Sequence, residues 1–327
     1  MARSIFKRPR RWLAIGLLVV AAILTASAAY QAWCVRSLHT RYPPPGRLVD
    51  IGGRRLHLVC IGEGAPTVIF EASGFGNSLS SLQARNEIAT KTQVCSYDRL
   101  GTGWSDPGPE TITIGTLADD LAKLIERAPL RPPFVLVASS IGGVTAELFA
   151  RRHSEHVAGL VFLDPATSKG LERALPMATR VNVSALCAAK MAARLGLLRL
   201  VDPFRLRASP VNADRAMTLM YRPEPMATGC GLAHGLRASL DEFRVAPAMR
   251  FDVPMTVLTA ETLENLLPMG FEAPANAVRD RKELHQIMAS QSSHGTWRVV
   301  PGSDHLIASS QPHAVATAVL DMIATLR

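Results

Sequence analysis

The sequence has no internal repeat, no low-complexity tract and no cysteine–histidine spacing typical of a zinc site. Its charge excess is confined to one end. Residues 1–41 contain seven basic and no acidic residues, whereas the remainder carries 29 basic and 27 acidic residues. A nearly neutral remainder lacks the electrostatic footprint of a nucleic-acid-binding protein. The 327 residues, 48% hydrophobic and 19% charged, suit one large α/β domain with an appendage.

The appendage lies at the amino terminus. Residues 1–11 are basic, and residues 12–35 are uncharged and rich in Leu, Val, Ile and Ala. About 20 such residues span a bilayer as a helix, and flanking positive charge stays in the cytoplasm. We predict an anchor with the rest of the chain outside the cytoplasm. The alternative is a signal peptide cleaved after the small residues 26–28, which would give a secreted or periplasmic protein. Residues 36–46, with three consecutive prolines, are predicted to be a stiff linker.

The chain from residue 47 alternates strand and helix patterns. Residues 48–51 and 55–61 indicate a hairpin, and further strands are predicted at 67–71, 92–97, 134–138, 158–163, 255–259 and 297–300. Helical periodicity falls at 79–91, 117–127, 281–288 and 314–326. Residues 167–250 contain no convincing strand and have apolar residues at helical spacing. We expect a mostly parallel eight-stranded sheet with helices on both faces and a helical insertion.

The most informative segment is 134–143, which reads FVLVASSIGG. A β-branched strand ends near Ala138, Ser140 follows between small residues, and an amphipathic stretch begins. Such a strand–turn–helix is the sequence form of a nucleophile elbow, in which strand and helix backbones approach closely. Ala138 and Gly142 supply the small residues that this approach needs. Ser140 is therefore the candidate nucleophile.

Four motifs in order make residues 47–327 resemble the α/β-hydrolase superfamily, with a helical cap at about 167–250. Residues 71–78 (EASGFGNS) are similar to the family's glycine-rich oxyanion loop, and residues 97–105 (YDRLGTGWS) to the turn after its fourth strand. Residues 138–142 correspond to the elbow, and 301–305 (PGSDH) to the segment that carries the family's histidine. The resemblance implies a serine hydrolase that uses no metal or organic cofactor.

The resemblance implies His305 as the general base, because the loop after the last strand reaches over the nucleophile in this fold. His294 precedes that strand and should lie at the opposite edge. Four more histidines lie on polar helical stretches, where a surface position is expected: His153, His156, His285 and His313.

Three positions compete for the acid. Asp164 ends the strand after the elbow, where some members of the superfamily place it. The usual position near residue 263 holds Leu263, flanked by Glu261 and Glu264, and Asp304 is a third choice. We favour Asp164, because a carboxylate at a strand end points out of the carboxyl edge of the sheet.

Two backbone N–H groups should stabilise the oxyanion. The resemblance implies Ile141, after the nucleophile, and a residue of the 73–76 loop, where one alignment selects Gly74 and another Phe75; we favour Gly74. The family often has histidine at the positions of Ala72 and Ser139. Asp98 and Arg99 are predicted to form a buried, charge-assisted turn that holds the loop.

The expected activity is cleavage of a small-molecule carboxylic ester that carries an apolar group, through an acyl-enzyme on Ser140. Alternatives are an acyltransferase or thioesterase with the same triad, and a non-catalytic binding protein. Serine at the elbow argues against the dehalogenase and epoxide hydrolase chemistry of the same fold, which uses aspartate there. In the family's strand order the second strand neighbours the fourth, so Cys60 and Cys95 could form a disulfide, with free thiols as the alternative. A second bridge between Cys187 and Cys230 would pin the cap.

Overall fold

A computed structural model describes residues 7–178, 183–208, 213–247, 251–264 and 275–326. Its centre is a single eight-stranded sheet with the order β1-β2-β4-β3-β5-β6-β7-β8. The strands are β1 (Arg47–Asp50), β2 (Arg55–Ile61), β3 (Val68–Glu71), β4 (Val94–Tyr97), β5 (Phe134–Ser139), β6 (Val157–Leu163), β7 (Met255–Ala260) and β8 (Gly295–Val300). Strand β2 is antiparallel to β1 and to β4, and the other neighbours run parallel. The predicted mostly parallel eight-stranded sheet is confirmed, with the hairpin as its antiparallel edge.

Thirteen α-helices occur in the described residues. They are α1 (Lys7–Arg36), α2 (Leu38–Arg41), α3 (Leu82–Ile88), α4 (Ile114–Arg127), α5 (Ile141–Arg152), α6 (Ser168–Ala178), α7 (Val183–Arg194), α8 (Leu197–Val201), α9 (Ala213–Met220), α10 (Pro223–Val245), α11 (Ala275–Ala289), α12 (Ile307–Ser310) and α13 (Pro312–Thr325). Helix α4 begins three residues before the predicted start, because Thr113 caps it by accepting a hydrogen bond from the Thr116 N–H.

Apolar side chains cover both faces of the sheet. Leu121 of α4 and Phe149 of α5 belong to one buried cluster with strand residues such as Leu136. Ile88 of α3 and Val319 of α13 belong to the other. Burial on both faces explains why the parallel strands read as continuous apolar runs, without the alternation of a half-exposed sheet. The helices on both faces that the sequence predicts are therefore present.

Helices α6 to α10 form the insertion between β6 and β7, and no strand occurs in its described residues. A disulfide joins Cys187 of α7 to Cys230 of α10. A second disulfide joins Cys60 and Cys95, which lie directly opposite each other on β2 and β4. The sequence left both pairings open against free thiols, and the structure has both bridges.

Helix α1 contains the apolar segment. An 18-residue window within residues 11–36 has a mean hydropathy of 2.3, and the helix is long enough to cross a membrane. Residues 11–23 are exposed, but the last turns of the helix contact the cap, where Gln31 and Cys34 are buried. The segment predicted as a linker also packs against the protein. Leu38 is buried, and the Tyr42 hydroxyl donates a hydrogen bond of 2.5 Å to Asp214 in α9.

Candidate active site

Ser140 lies in a sharp turn between β5 and α5. Its backbone has φ 54° and ψ −123°, a conformation that residues other than glycine rarely adopt. Gly142 allows this turn, because a Cβ atom there would lie 2.6 Å from the carbonyl oxygen of Ala72 on the neighbouring strand's loop. The close approach expected at a nucleophile elbow is therefore present, and the Ser140 side chain stands at the beginning of α5.

His305 follows β8 and precedes α12. Its backbone N–H donates to the Glu264 carbonyl at 3.1 Å, and only 5% of the residue is exposed. The imidazole lies between two partners: Nε2 is 2.9 Å from Ser140 Oγ, and Nδ1 is 2.6 Å from Asp164 Oδ2. The structure thus brings together three candidates that are 165 and 141 residues apart along the chain.

Asp164 follows β6 and is 2% exposed. Oδ1 accepts the Ala260 N–H at 3.0 Å, while Oδ2 accepts both His305 Nδ1 and Arg281 Nη1, the latter at 2.7 Å. Burial alone would raise the pKa of Asp164. The His305 hydrogen bond and the Arg281 charge outweigh burial and hold the pKa below its usual value. The carboxylate therefore stays ionised next to the imidazole.

The competing acids have other contacts. Glu261 accepts the Gly302 N–H at 2.7 Å and so holds the turn before His305. Glu264 has an exposed side chain and contacts His305 through its backbone carbonyl. Asp304 accepts the Leu306 N–H at 2.9 Å. In the described structure, the carboxylate that binds the His305 ring is that of Asp164.

The expectation that His285 lies on the surface is wrong. His285 is 1% exposed, and its Nε2 donates to the Pro165 carbonyl at 2.9 Å. Nδ1 lies 2.7 Å from Thr259 Oγ1, which also accepts the Trp297 indole N–H at 2.8 Å. Burial lowers the pKa of His285 to about 4, so the ring is neutral. This side chain supports the turn behind Asp164.

Apart from His305, the other histidines for which the sequence predicts a position lie where expected and are exposed or partly exposed. His153 and His156 are about a third exposed and lie 3.9 Å from Glu155, and the exposed His313 contacts Glu87. His294 is exposed and precedes β8, at the opposite edge from His305. Two groups of side chains have metal-ligand spacing, namely His153 with Glu155 and His156, and Cys187 with Cys230 and His234. In the second group both sulfurs are bonded to each other.

Gly74 and Ile141 face each other beside the elbow. A Cβ atom on Gly74 would be 3.6 Å from Ile141 Cγ2. Ile141 is the first residue of α5, so its N–H has no acceptor within the helix and points out of the helix end. The neighbouring Phe75 turns toward the cap, where its ring lies 5.5 Å from that of Phe204 and against Gly229 of α10.

Buried charges hold the loop that contains Gly74. Arg99 Nη2 donates to the carbonyl oxygens of Ala72 and Ser73, and its Nε lies 3.0 Å from Glu71 Oε1. Burial raises the pKa of Glu71, which also accepts a hydrogen bond from the Tyr97 hydroxyl. The loop's position is therefore fixed by side chains of β3 and of the turn after β4.

Asp98 fixes the second half of the same loop. Its carboxylate accepts the Ser78 N–H at 2.6 Å and the Trp104 N–H at 2.9 Å, and it lies 2.7 Å from His57 Nδ1. All four groups are buried. The predicted charge-assisted turn at Asp98 and Arg99 is confirmed, and Glu71 and His57 are partners that the motif alone did not reveal.

These observations define an α/β protein with a buried serine–histidine–aspartate arrangement at the carboxyl edge of its sheet. The profile of the alpha/beta hydrolase family matches residues 64–318, and the chain belongs to that family. The solved structure of a thermophilic esterase from Thermogutta terrifontis is similar over 86% of this chain and 98% of its own, with 24% identity and a TM-score of 0.59. A laboratory-evolved potato epoxide hydrolase is similar over 85% of this chain and 98% of its own, with 15% identity and a TM-score of 0.67.

Among curated proteins, the uncharacterized YqjL of Bacillus subtilis is 23% identical over 80% of this chain and 85% of its own length. Other curated relatives match over shorter stretches: an uncharacterized protein of Schizosaccharomyces pombe is 39% identical over 26% of this chain, which is 16% of its own length. The structural likenesses show the fold and do not decide the reaction, because hydrolases of different chemistry share this fold.

Proposed function

We propose that this protein is a membrane-anchored serine hydrolase that cleaves a carboxylic ester. Ser140 is the nucleophile, His305 the general base and Asp164 the acid that orients it. One observation carries the proposal: hydrogen-bond distances of 2.9 and 2.6 Å link Ser140 Oγ, the His305 ring and Asp164 in a continuous chain. The carboxylate accepts a hydrogen bond from Nδ1–H, which leaves Nε2 without a proton and able to accept one from the serine.

In the first half of the reaction, His305 Nε2 takes the Ser140 proton as Oγ attacks the ester carbonyl carbon. The carbonyl oxygen becomes an anion, which the N–H groups of Gly74 and Ile141 are placed to stabilise. Collapse of this intermediate breaks the ester C–O bond, and His305 gives its proton to the departing alcohol. Water then repeats the sequence on the acyl-enzyme, releasing the carboxylic acid and restoring Ser140.

The identity of the nucleophile favours this chemistry over that of other family members. The neighbours in fold include an esterase and an epoxide hydrolase. Chemistry that forms an alkyl ester on the enzyme needs a carboxylate at the elbow, and this chain has Ser140 there. Acyl transfer to another alcohol or cleavage of a thioester would use the same side chains, and the acceptor and leaving group distinguish them in a product assay.

We also propose that residues 42–327 lie outside the cytoplasm. The basic residues before α1 favour a cytoplasmic amino terminus, and the two disulfides suit an oxidising compartment. Ser27, at the alternative signal-peptide site, lies against Gly196 of the cap. This contact supports an uncleaved anchor. Amino-terminal sequencing of the mature protein tests the point: a chain beginning near Ala29 would replace the anchor with a signal peptide.

Replacement of the nucleophile tests the chemistry. Ser140→Ala should abolish labelling by a fluorophosphonate and hydrolysis of p-nitrophenyl acetate, with little change in melting temperature, because the hydroxyl contributes little packing. Ser139→Ala is the matched control, since it removes the adjacent hydroxyl, and it should keep both activities. Labelling that persists in Ser140→Ala, or that is lost in Ser139→Ala instead, would contradict the assignment.

A further inference from the structure

The last turns of α1 are built into the cap. Gln31 Nε2 donates to the Tyr221 carbonyl at 2.6 Å, and Gln31 Oε1 accepts from Arg199 Nε at 2.6 Å. All three residues are buried. One turn earlier, a Cβ atom on Gly196 would lie 2.6 Å from Ser27 Oγ, so the helices touch there through their smallest residues. The helix and the cap therefore meet in a fixed contact that begins near residue 24.

This contact conflicts with a cap that stands clear of the membrane. The part of α1 that precedes its contact with the cap, residues 12–23, is exposed throughout and is about 18 Å long at 1.5 Å per residue. The hydrocarbon core of a bilayer is about 30 Å thick. The whole apolar stretch, residues 12–35, reaches about 36 Å and is long enough. Residues 12–23 cover only about 18 Å of a hydrocarbon core that is about 30 Å thick. The rest of the core, about 12 Å, must therefore lie beside the contact that Ser27 and Gln31 make with the cap.

The cap surface at this place has the matching chemistry. Helix α8 lies against α1 through Gly196 and Arg199, and its next residues, Leu200 and Val201, are 59% and 64% exposed. Met191 of α7 is 54% exposed. We call Met191, Leu200 and Val201 the cap edge. Besides the buried Arg199, residues 187–208 around it hold four basic residues and one acidic residue, a composition that suits an anionic lipid interface.

The cap edge is also close in sequence and contact to the candidate site. Phe204 follows Val201 by three residues, and its N–H donates to the Tyr221 hydroxyl at 3.1 Å. The Phe204 ring lies 5.5 Å from the ring of Phe75, next to Gly74 of the oxyanion loop. Phe204 thus contacts the loop beside Ser140 and is three residues along the chain from Val201 of the cap edge.

We propose that the cap edge inserts into the bilayer that α1 crosses, and that Ser140 receives an ester with a long acyl chain from the lipid phase. The insertion rests on the geometry of α1 and the cap; the substrate class rests on the proposed hydrolase function. The two parts therefore have separate tests on the full-length protein in phosphatidylcholine–phosphatidylglycerol vesicles.

Insertion is measured by quenching. Val201→Cys carries a bimane label, since four native cysteines are in disulfides and Cys34 is buried. The matched control is Val245→Cys, 83% exposed at the end of α10, about 22 Å along that helix from Cys230. Doxyl-labelled lipid should quench the label at 201 at least twice as strongly as at 245. Equal quenching would overturn the insertion. Cross-linking of Val201→Cys between two copies would also overturn it, by making the edge a protein contact.

Substrate entry is measured with two esters. Leu200→Glu with Val201→Glu should lower hydrolysis of monooleoylglycerol embedded in the vesicles at least tenfold, and that of soluble p-nitrophenyl acetate less than twofold. Val245→Glu should change neither. Equal losses on both esters would refute entry from the lipid. If the wild-type protein cleaves neither ester while the label at 201 is quenched, the hydrolase proposal fails and the insertion stands.

Discussion

Replacing Arg281 tests whether its charge sets the pH dependence of the candidate site. Its guanidinium shares Asp164 Oδ2 with His305 Nδ1, at 2.7 and 2.6 Å, and also donates to the Ala260 carbonyl at 2.9 Å. The side chain is 12% exposed, so solvent screens it weakly. A cation on the same oxygen has two effects: it keeps Asp164 ionised and in place, and it opposes the positive charge that His305 acquires during catalysis.

Arg281→Met removes the charge and keeps much of the aliphatic stem. Burial raises the pKa of Asp164, and the His305 hydrogen bond and the Arg281 charge lower it. An opposite charge about 4 Å away is worth about 4 kcal/mol at an effective dielectric constant of 20, and relaxation and entry of water reduce this. Without the guanidinium the pKa of Asp164 rises, so we expect the acidic limb of the kcat/KM profile to move about 1 pH unit higher, about 1.4 kcal/mol.

The assay is hydrolysis of p-nitrophenyl acetate from pH 4 to 9 in detergent. Arg281→Lys should keep the acidic limb near that of the wild type, because it retains a cation. Arg173→Met removes an exposed arginine of α6 that pairs with Glu283, and serves as the control. A lower rate with an unmoved midpoint in Arg281→Met would show that Arg281 only holds the fold and would refute the electrostatic argument.

Two further predictions concern Asp164 and His285. Asp164→Asn should lower kcat by about 10⁴-fold, because the amide holds the wrong imidazole tautomer. Glu261→Gln and Glu264→Gln should stay within a few-fold of the wild type, and a reversal of this order in steady-state kinetics would assign the acid elsewhere. Burial lowers the pKa of His285 to about 4, so the unfolded chain binds its proton first as the pH falls. Stability should therefore fall by about 3 kcal/mol between pH 6.5 and 4, and thermal melts of His285→Leu should show a shallower slope over this range; an unchanged slope would contradict the burial argument.

The motifs along the chain were sufficient to predict the sheet, the elbow and the histidine loop. Strands such as β5 are buried on both faces and read as short β-branched runs, which the sequence shows directly. Helix α4 reads as amphipathic because Leu117 and Leu121 face the core. The predicted helix boundaries differ from the observed ones by a few residues where a helix-capping side chain decides them, as Thr113 does at the start of α4.

The support around Asp164 could not be predicted in the same way. Arg281 lies 117 residues from Asp164, on a helix whose charged sequence looks like a solvated surface. His285 on the same helix was misplaced for this reason. The two side chains point inward because α11 packs on β7. Their hydrogen-bond partners include groups at the end of β7, and a hydrophobicity pattern does not reveal that a polar helix face has such buried partners. The same limit hid the packing of residues 36–46 on the cap.

The choice between Asp164 and the glutamates after β7 follows from strand order. Strand β6 is the direct neighbour of β5, with Leu163 opposite Ser139, and the Ser140 N–H donates to the Leu163 carbonyl at 3.1 Å. Asp164 therefore lies next to the elbow. Its backbone has a φ of 44°, and its side chain lies at the carboxyl edge of the sheet beside His305. A residue after β7 starts one strand further away, about 4.8 Å. Glu261 starts there and instead binds the Gly302 N–H, which holds the turn that brings His305 to the acid of the nearer strand.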